Sequence, residues 1–435
     1  MAGTRNMLLE WRKHMTKKRA QKHNGSRVSP EAAGDIQEAD RLLASAFEYH
    51  RAGSLDKAKE LYRKTLLRFP DHPDALHLLG VIHYQQGDTE SALRHITRAI
   101  TLKPGTPEYS CNLGNVLRDR GDIEGAISCY REAIALKPDL AEAYNNLGAC
   151  LRRSSRMQEA IECYQKALQI KPGYAAAYNN LGNILRETGD IDKAIENYRQ
   201  ALCVNPQYAE ACFNLGNALC DKYDLEAAAA CFRKAVTINP GYSEAYLCLG
   251  RLLRSSGNMQ EAMECCRRAL ETAKDPGDAY HLLGRLFHET RDYQKACESF
   301  QKELEARPGC AEAYNCLGMS LHHAGKPEDA ISSYLKALDI DPESAETLNN
   351  LGIAFHDTGR PEEAICSYKK AIAIDPRYAQ AHNNLGNVLH SIHRMHEAID
   401  SLRQAILIRP DFAEAHNNLG LALLTEKRYE EALSC

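Results

Sequence analysis

A Leu-Gly pair recurs through this chain at a fixed interval, and that interval constrains the fold more than any other feature. Its glycines run from Gly80 through Gly114, Gly148, Gly182 and onward to Gly420, always 34 residues apart and without one insertion. Twelve residues after each stands an alanine, from Ala92 to Ala432. One period upstream, Ala46 occupies the glycine slot, and Ala58, Tyr62 and Pro70 fall in theirs. Units with such a period cannot bury their apolar faces alone and must stack on their neighbours. Twelve units begin near Ala39, the last of them incomplete.

Within residues 141–174, Tyr144, Leu147, Gly148 and Leu151 share one helical face at the spacing i, i+3, i+4, i+7. Ser154 to Met157 reads as a turn. Ala160, Tyr164, Ala167 and Ile170 form a second apolar face, and Lys171-Pro172-Gly173 ends it. The Gly and Ala slots predict places where helices approach too closely for a larger side chain. The fold class expected is therefore all-α, a solenoid of helix–turn–helix units. Pro recurs at the end of most units, but Lys274 stands where Pro is expected and Pro276 comes two residues later. The expected organisation is a basic, partly disordered leader over 1–38, repeats 1–7 over 39–276, and repeats 8–12 over 277–435.

A 34-residue helix–turn–helix with small residues in these slots and a terminal Pro resembles the tetratricopeptide repeat. The resemblance covers residues 39–435 and implies a right-handed superhelix whose first helices line a concave groove.

Composition excludes several alternatives. No apolar run approaches the ~18 residues of a membrane span, and the N-terminus has no secretory signal. Sixteen cysteines suggest neither disulfides nor zinc, since no C-x-x-C occurs. Cys129, Cys163, Cys231, Cys265 and Cys435 instead share one slot of the unit with Ser299, Ser333 and Ser367. They read as small packing residues of a reducing, cytoplasmic compartment. Eight Arg and Lys crowd residues 1–29 against Glu10 alone, although the whole chain is net −4. That leader reads as a solvated tail, with nucleic acid an improbable partner. No nucleotide-binding or hydrolase motif occurs, and neither cofactor nor metal is expected.

The asparagines are harder to explain, because Asn disfavours helix interiors. AYNNLG occurs at 143–148 and 177–182, AHNNLG at 381–386 and 415–420, and TLNNLG at 347–352. With Leu-Gly numbered slots seven and eight, slot six holds Asn112, Asn146, Asn180, Asn214, Asn350, Asn384 and Asn418. Cys248, Leu282 and Cys316 interrupt the series. Slot nine adds Asn115, Asn183, Asn217 and Asn387, on the same side of the helix. Two readings stand. These amides bond their own scaffold, or they hold the backbone of an extended peptide with donors and acceptors that carry no charge. The second suits a protein with many partners. Slot twelve carries Arg118, Arg152, Arg186, Arg254, His288, His322, His356 and His390. That stripe reads as a solvated groove edge, or as a basic track for acidic peptide segments that weakens as His deprotonates.

The NNLG phrases resemble the tandem arm of the O-GlcNAc transferase and SPINDLY family. The resemblance implies that the slot-six asparagines form a ladder holding protein substrates, in an arm that selects substrates for a UDP-GlcNAc-dependent protein glycosyltransferase. A stand-alone adaptor, or the arm of another enzyme such as a sulfotransferase, is the alternative. A chaperone-clamp role is disfavoured, since slot five lacks Lys throughout. The partners expected are proteins or extended peptides, self-association into a homo-oligomer is compatible with that, and no residue in hand catalyses transfer. The sequence ends at Cys435 within a second helix, so further repeats or a catalytic domain are expected beyond it.

Overall fold

The structure, a computed structural model, describes residues 30–433, with side chains from Glu38 onward. The eight cations of the basic leader lie outside these residues. Among the described residues there are 24 helices and no strand. They form two compact units divided between Asp224 and Leu225. Each unit is a solenoid of helix hairpins, in which successive helices pack as antiparallel pairs and each pair packs on the next. The first unit runs from Pro30–Arg51 to Ala209–Asp221, the second from Leu225–Ile238 to Tyr429–Leu433.

The small-residue slots are where helices touch. A Cβ built on Gly148 would lie 2.8 Å from the Tyr164 ring, and one on Gly182 would lie 2.6 Å from Tyr198. Gly318 and Gly352 meet Tyr334 and Tyr368 in the same way. The glycine of the first helix is in these repeats the seat for a ring from the second, and Ile96 and Leu402 take the ring's place against Gly80 and Gly386. The alanine slot is buried from Ala58 to Ala398. Residues of neighbouring repeats join one core: Tyr130, Leu147, Cys150, Tyr164 and Ile184 belong to a single cluster in the first unit. Tyr334, Leu351, Tyr368, Val388 and Ala398 do so in the second. Burial of such apolar surface is what makes the stack stable when no single pair is.

The turns follow from local chemistry. Asp88, Asp122, Asp190 and Asp292 cap second helices by accepting from the backbone N–H three residues on. The residue before or near the cap takes a left-handed φ, met by Gly121 at +94° but also by Tyr223 at +60°.

The expected boundary at 276/277 lies inside the second unit. There the Gly277 N–H donates to Asp275 Oδ1 at 2.9 Å, and Arg307 donates to Asp275 at 2.7 Å and to Asp278 at 2.6 Å. The displaced proline is accommodated by a turn tied to the end of the second helix of the following repeat, Tyr293–Ala306.

Candidate functional site

Slots five, six, nine and twelve lie on one side of each first helix, and first helices of successive repeats touch directly within each unit. The slot-six asparagines are half-buried there, apart from the buried Asn112. Each donates across the repeat junction. Asn180 Nδ2 donates to Asn145 Oδ1 at 3.0 Å, and Asn214 to Asn179 at 2.9 Å. In the second unit Asn350 donates to Asn315 at 3.2 Å, Asn384 to Asn349 at 2.9 Å and Asn418 to Asn383 at 3.0 Å. Asn146 turns instead to Asn115, at 3.1 Å, because slot five of the preceding repeat is Cys111.

The first asparagine of NNLG is therefore an acceptor for the second asparagine one repeat later. Sequence reasoning missed this partner, although the doublet itself was the signal. Three slot-five asparagines also donate to a slot-two glutamate of the next repeat: Asn179 to Glu210 at 3.1 Å, Asn315 to Glu346 at 3.4 Å, and Asn383 to Glu414 at 3.0 Å. The amide network thus has a fixed polarity along the stack.

One N–H of each slot-six amide is spent on the scaffold. Among the described contacts, Asn180, Asn214, Asn350 and Asn418 make no further side-chain bond, which leaves each with one donor and its Oδ1 acceptor. That is the complement of a peptide unit. At slot nine, Tyr130 Oη donates to Asn115 Oδ1 at 2.7 Å and Tyr198 Oη to Asn183 Oδ1 at 2.8 Å. Burial pushes both phenols up, so they remain protonated donors. Tyr198 thus occupies the Asn183 oxygen, and the Asn183 NH2 has no side-chain partner among the described residues. Asn217 and Asn387 have no side-chain partner among the described residues, and Asn387 is exposed.

The three departures from Asn at slot six have a packing cause in one case. Where Gly250 lacks an aromatic ring because Cys266 replaces it, Leu282 fills the space, its Cδ2 3.1 Å from a Cβ built on that glycine. Leu282 is only 3% exposed. Cys248 and Cys316 are half-buried.

The slot-twelve cations are largely matched by slot thirteen of the next repeat. Arg152 donates to Glu187 at 2.9 Å, Arg186 to Asp221 at 2.6 Å, and Arg254 lies 3.8 Å from Glu289. His322 meets Asp357 at 2.8 Å and His390 meets Thr425 at 3.1 Å. Arg118 donates to its neighbour Asp119 at 2.8 Å, and Asp119 also accepts from Tyr84. His288 bonds Ser320 at 3.0 Å and faces His323 edge-on; burial, then the neighbouring His323, pulls its imidazole down. His356 alone of the stripe has no side-chain partner among the described residues. A row read as positive by itself is close to neutral once its partners are counted.

Of the slot cysteines, Cys129, Cys163 and Cys231 are half-buried and Cys265 is buried, while Cys435 lies outside the described residues; burial pushes Cys129, Cys163 and Cys265 up to about 11. Among the described residues no group of His, Cys, Asp and Glu is arranged to hold a metal, and no helix is long and apolar enough to cross a membrane.

Several family models, described as tetratricopeptide repeats, match this sequence. They cover residues 43–107 and 179–243, 139–202 and 309–377, 114–153 and 394–426, and 219–286, 279–314 and 367–400. The comparison with curated proteins finds no match. Among solved structures, the APC/C hetero-tetramer Cut9-Hcn1 aligns at 16% identity, covering 91% of this chain and 99% of that one, with a TM-score of 0.47. A MamA structure aligns at 27% identity over 40% of this chain and 94% of that one, with a TM-score of 0.37. With repeat models matching nearly end to end and helices paired as those models require, the chain belongs to the tetratricopeptide-repeat family.

Proposed function

We propose that the protein is an interaction scaffold that holds extended peptide segments by their backbone along the first-helix face of its repeats. The observation that carries this reading is the unspent half of each slot-six amide. Asn180, Asn214, Asn350 and Asn418 each offer one donor and one acceptor beside a bond that fixes their orientation. A preoriented amide loses less conformational entropy on binding than a free one. An uncharged row of them reads backbone and tolerates varied side chains, which suits a scaffold with many clients. Asn112, Asn146 and Asn384 belong to the same row with less capacity to spare, and slot nine widens it through Asn115, Asn183, Asn217 and Asn387.

The experiment compares fluorescein-labelled peptides by anisotropy. Scrambling side chains should leave affinity nearly unchanged, whereas N-methylation of alternate backbone amides should abolish binding. The converse result removes the reading.

A narrower proposal is that this face selects Ser/Thr-bearing segments for a UDP-GlcNAc-dependent glycosyltransferase. Its support is the run of slot-six asparagines. Assay of the natural gene product for transfer to a bound peptide tests it, and absence of transfer leaves an adaptor.

A further inference from the structure

Slot nine changes character in the second unit. Arg251 and Arg285 stand where four other repeats place asparagine, and both are exposed. Neither makes an ion pair or a side-chain hydrogen bond among the described residues, unlike the slot-twelve cations. The acids on their two helices, Ser243–Ser255 and Gly277–Glu289, are engaged elsewhere. Glu244 accepts from Ser243, Asp278 accepts from Arg307, and Glu289 lies nearest Arg254. Beside Arg285 on its own helix, His281 is held between Glu303 at 3.0 Å and Glu312 at 3.5 Å, and His288 bonds Ser320 at 3.0 Å.

The two helices pack directly on one another, so the arginines project from equivalent positions about one helix diameter apart, roughly 8–10 Å. Slot six of the same repeats holds Cys248 and Leu282, which offer no amide to a ligand. Where the amide row lapses, two uncompensated guanidiniums replace it. Guanidinium presents a planar fork that matches the oxygens of a carboxylate or a phosphoryl group.

We propose that Arg251 and Arg285 form an anion clamp that captures an acidic side chain of the peptide bound along this face. The inference rests on the peptide-binding reading and adds its charge preference. It also moves the basic subsite from slot twelve, where the cations are matched, to slot nine of repeats 7 and 8. The shared chemistry is an anionic oxygen group, supplied by Glu or Asp or by a phosphorylated side chain.

The test uses the whole chain and three labelled peptides of one Ser/Gly/Thr background, carrying a central Gln-Gln, Glu-Glu or phosphoserine. The Glu-Glu or the phosphoserine peptide should bind about tenfold more tightly than Gln-Gln, a factor typical of a partly desolvated charged contact. That preference should shrink on raising salt past the screening range. The R251A/R285A variant should lose the preference and keep the Gln-Gln affinity, while R251K/R285K should retain only part of it. A gain confined to phosphoserine identifies the phosphoryl source, and a gain with Glu-Glu the carboxylate. Equal binding of all three overturns the clamp and leaves the amide row standing. Loss of Gln-Gln binding in R251A/R285A also overturns it, since the arginines would then serve every peptide. If Glu-Glu binds and Gln-Gln does not, the clamp stands and backbone recognition falls.

Discussion

Asn214 donates to Asn179 across 2.9 Å, and Asn179 in turn donates to Glu210, one turn away from Asn214 on its own helix. The buried Asn179 thereby links two positions of the next repeat. N214A leaves its oxygen without a donor and should destabilise this junction by about 1–3 kcal/mol. N214D should cost more, because a carboxylate cannot donate and adds a like charge four residues from Glu210. N217A, on the same helix but without a described side-chain partner, should change stability by less than about 0.5 kcal/mol. Hydrogen exchange of the amides of repeats 5 and 6 reads all three. Equal protection in N214D and N217A would show that the rung carries no load.

Gly148 and Gly173 give a second contrast within one repeat. A Cβ at 148 would press into the Tyr164 ring at 2.8 Å, whereas one at 173 meets nothing within 4 Å. G148A should cost about 1–3 kcal/mol by overpacking, and G148L more. G173A should be neutral or slightly stabilising through the unfolded chain. Urea titration followed by helical CD measures both. An unmoved midpoint in G148A would contradict the seating of the ring on the glycine.

His77 occupies slot five of repeat 2, where six later repeats have Asn. Its Nε2 meets Asn112 Nδ2 at 2.7 Å, but its Nδ1 is buried with no hydrogen-bond partner among the described residues. Burial pulls the imidazole down to about 3. In the unfolded chain it titrates near 6.5, so between these values only the unfolded state binds the proton. Its contribution is therefore fully present above about pH 6.5 and is lost as pH falls toward 3. H77N should remove the orphaned nitrogen and restore an Asn–Asn rung, raising the melting temperature at pH 7 slightly and at pH 5 clearly. His50 and His83, both pulled down first by burial, keep part of the acid slope in the variant. A gain that did not grow between pH 7 and pH 5 would rule out this origin.

How much of this was legible in the sequence depends on whether a contact repeats in size or in partnership. The glycine, alanine and ring slots were readable because a steric requirement recurs at one residue in every period, as at Gly148, Ala160 and Tyr164. The direction of the slot-six asparagines was readable from helical spacing. Their bond to slot five was not, because it joins residues 35 apart on different helices, as Asn180 and Asn145 do. The same offset hides Glu187 from Arg152 and Asp221 from Arg186, so a stripe read one slot at a time looked more basic than it is. Arg251 and Arg285 carry no distinguishing mark in the sequence beyond standing in slot nine. Their significance depends on which neighbouring acids are already engaged, and that is a property of the packed structure.

Repeat 8 offers the last contrast. Slot twenty-seven is a buried Ala from Ala99 to Ala269 and again at Ala337, Ala371 and Ala405, but Glu303 fills it here at 2% exposure. Its carboxylate faces His281 Nδ1 at 3.0 Å, and Cys310 Sγ lies 3.7 Å away. Slot five and slot twenty-seven have thus changed together, and neither residue suits the site alone. H281N should cost about 3–5 kcal/mol by leaving a buried carboxylate without its partner. E303A removes that burden but opens space beside a half-buried imidazole, and should cost less. The double variant H281N/E303A restores the pair of residue types that repeats 4 and 5 use, and should fall close to the wild type. The double-mutant cycle should therefore show a coupling of more than about 1 kcal/mol. Additive losses would mean that the two side chains are neighbours without being partners.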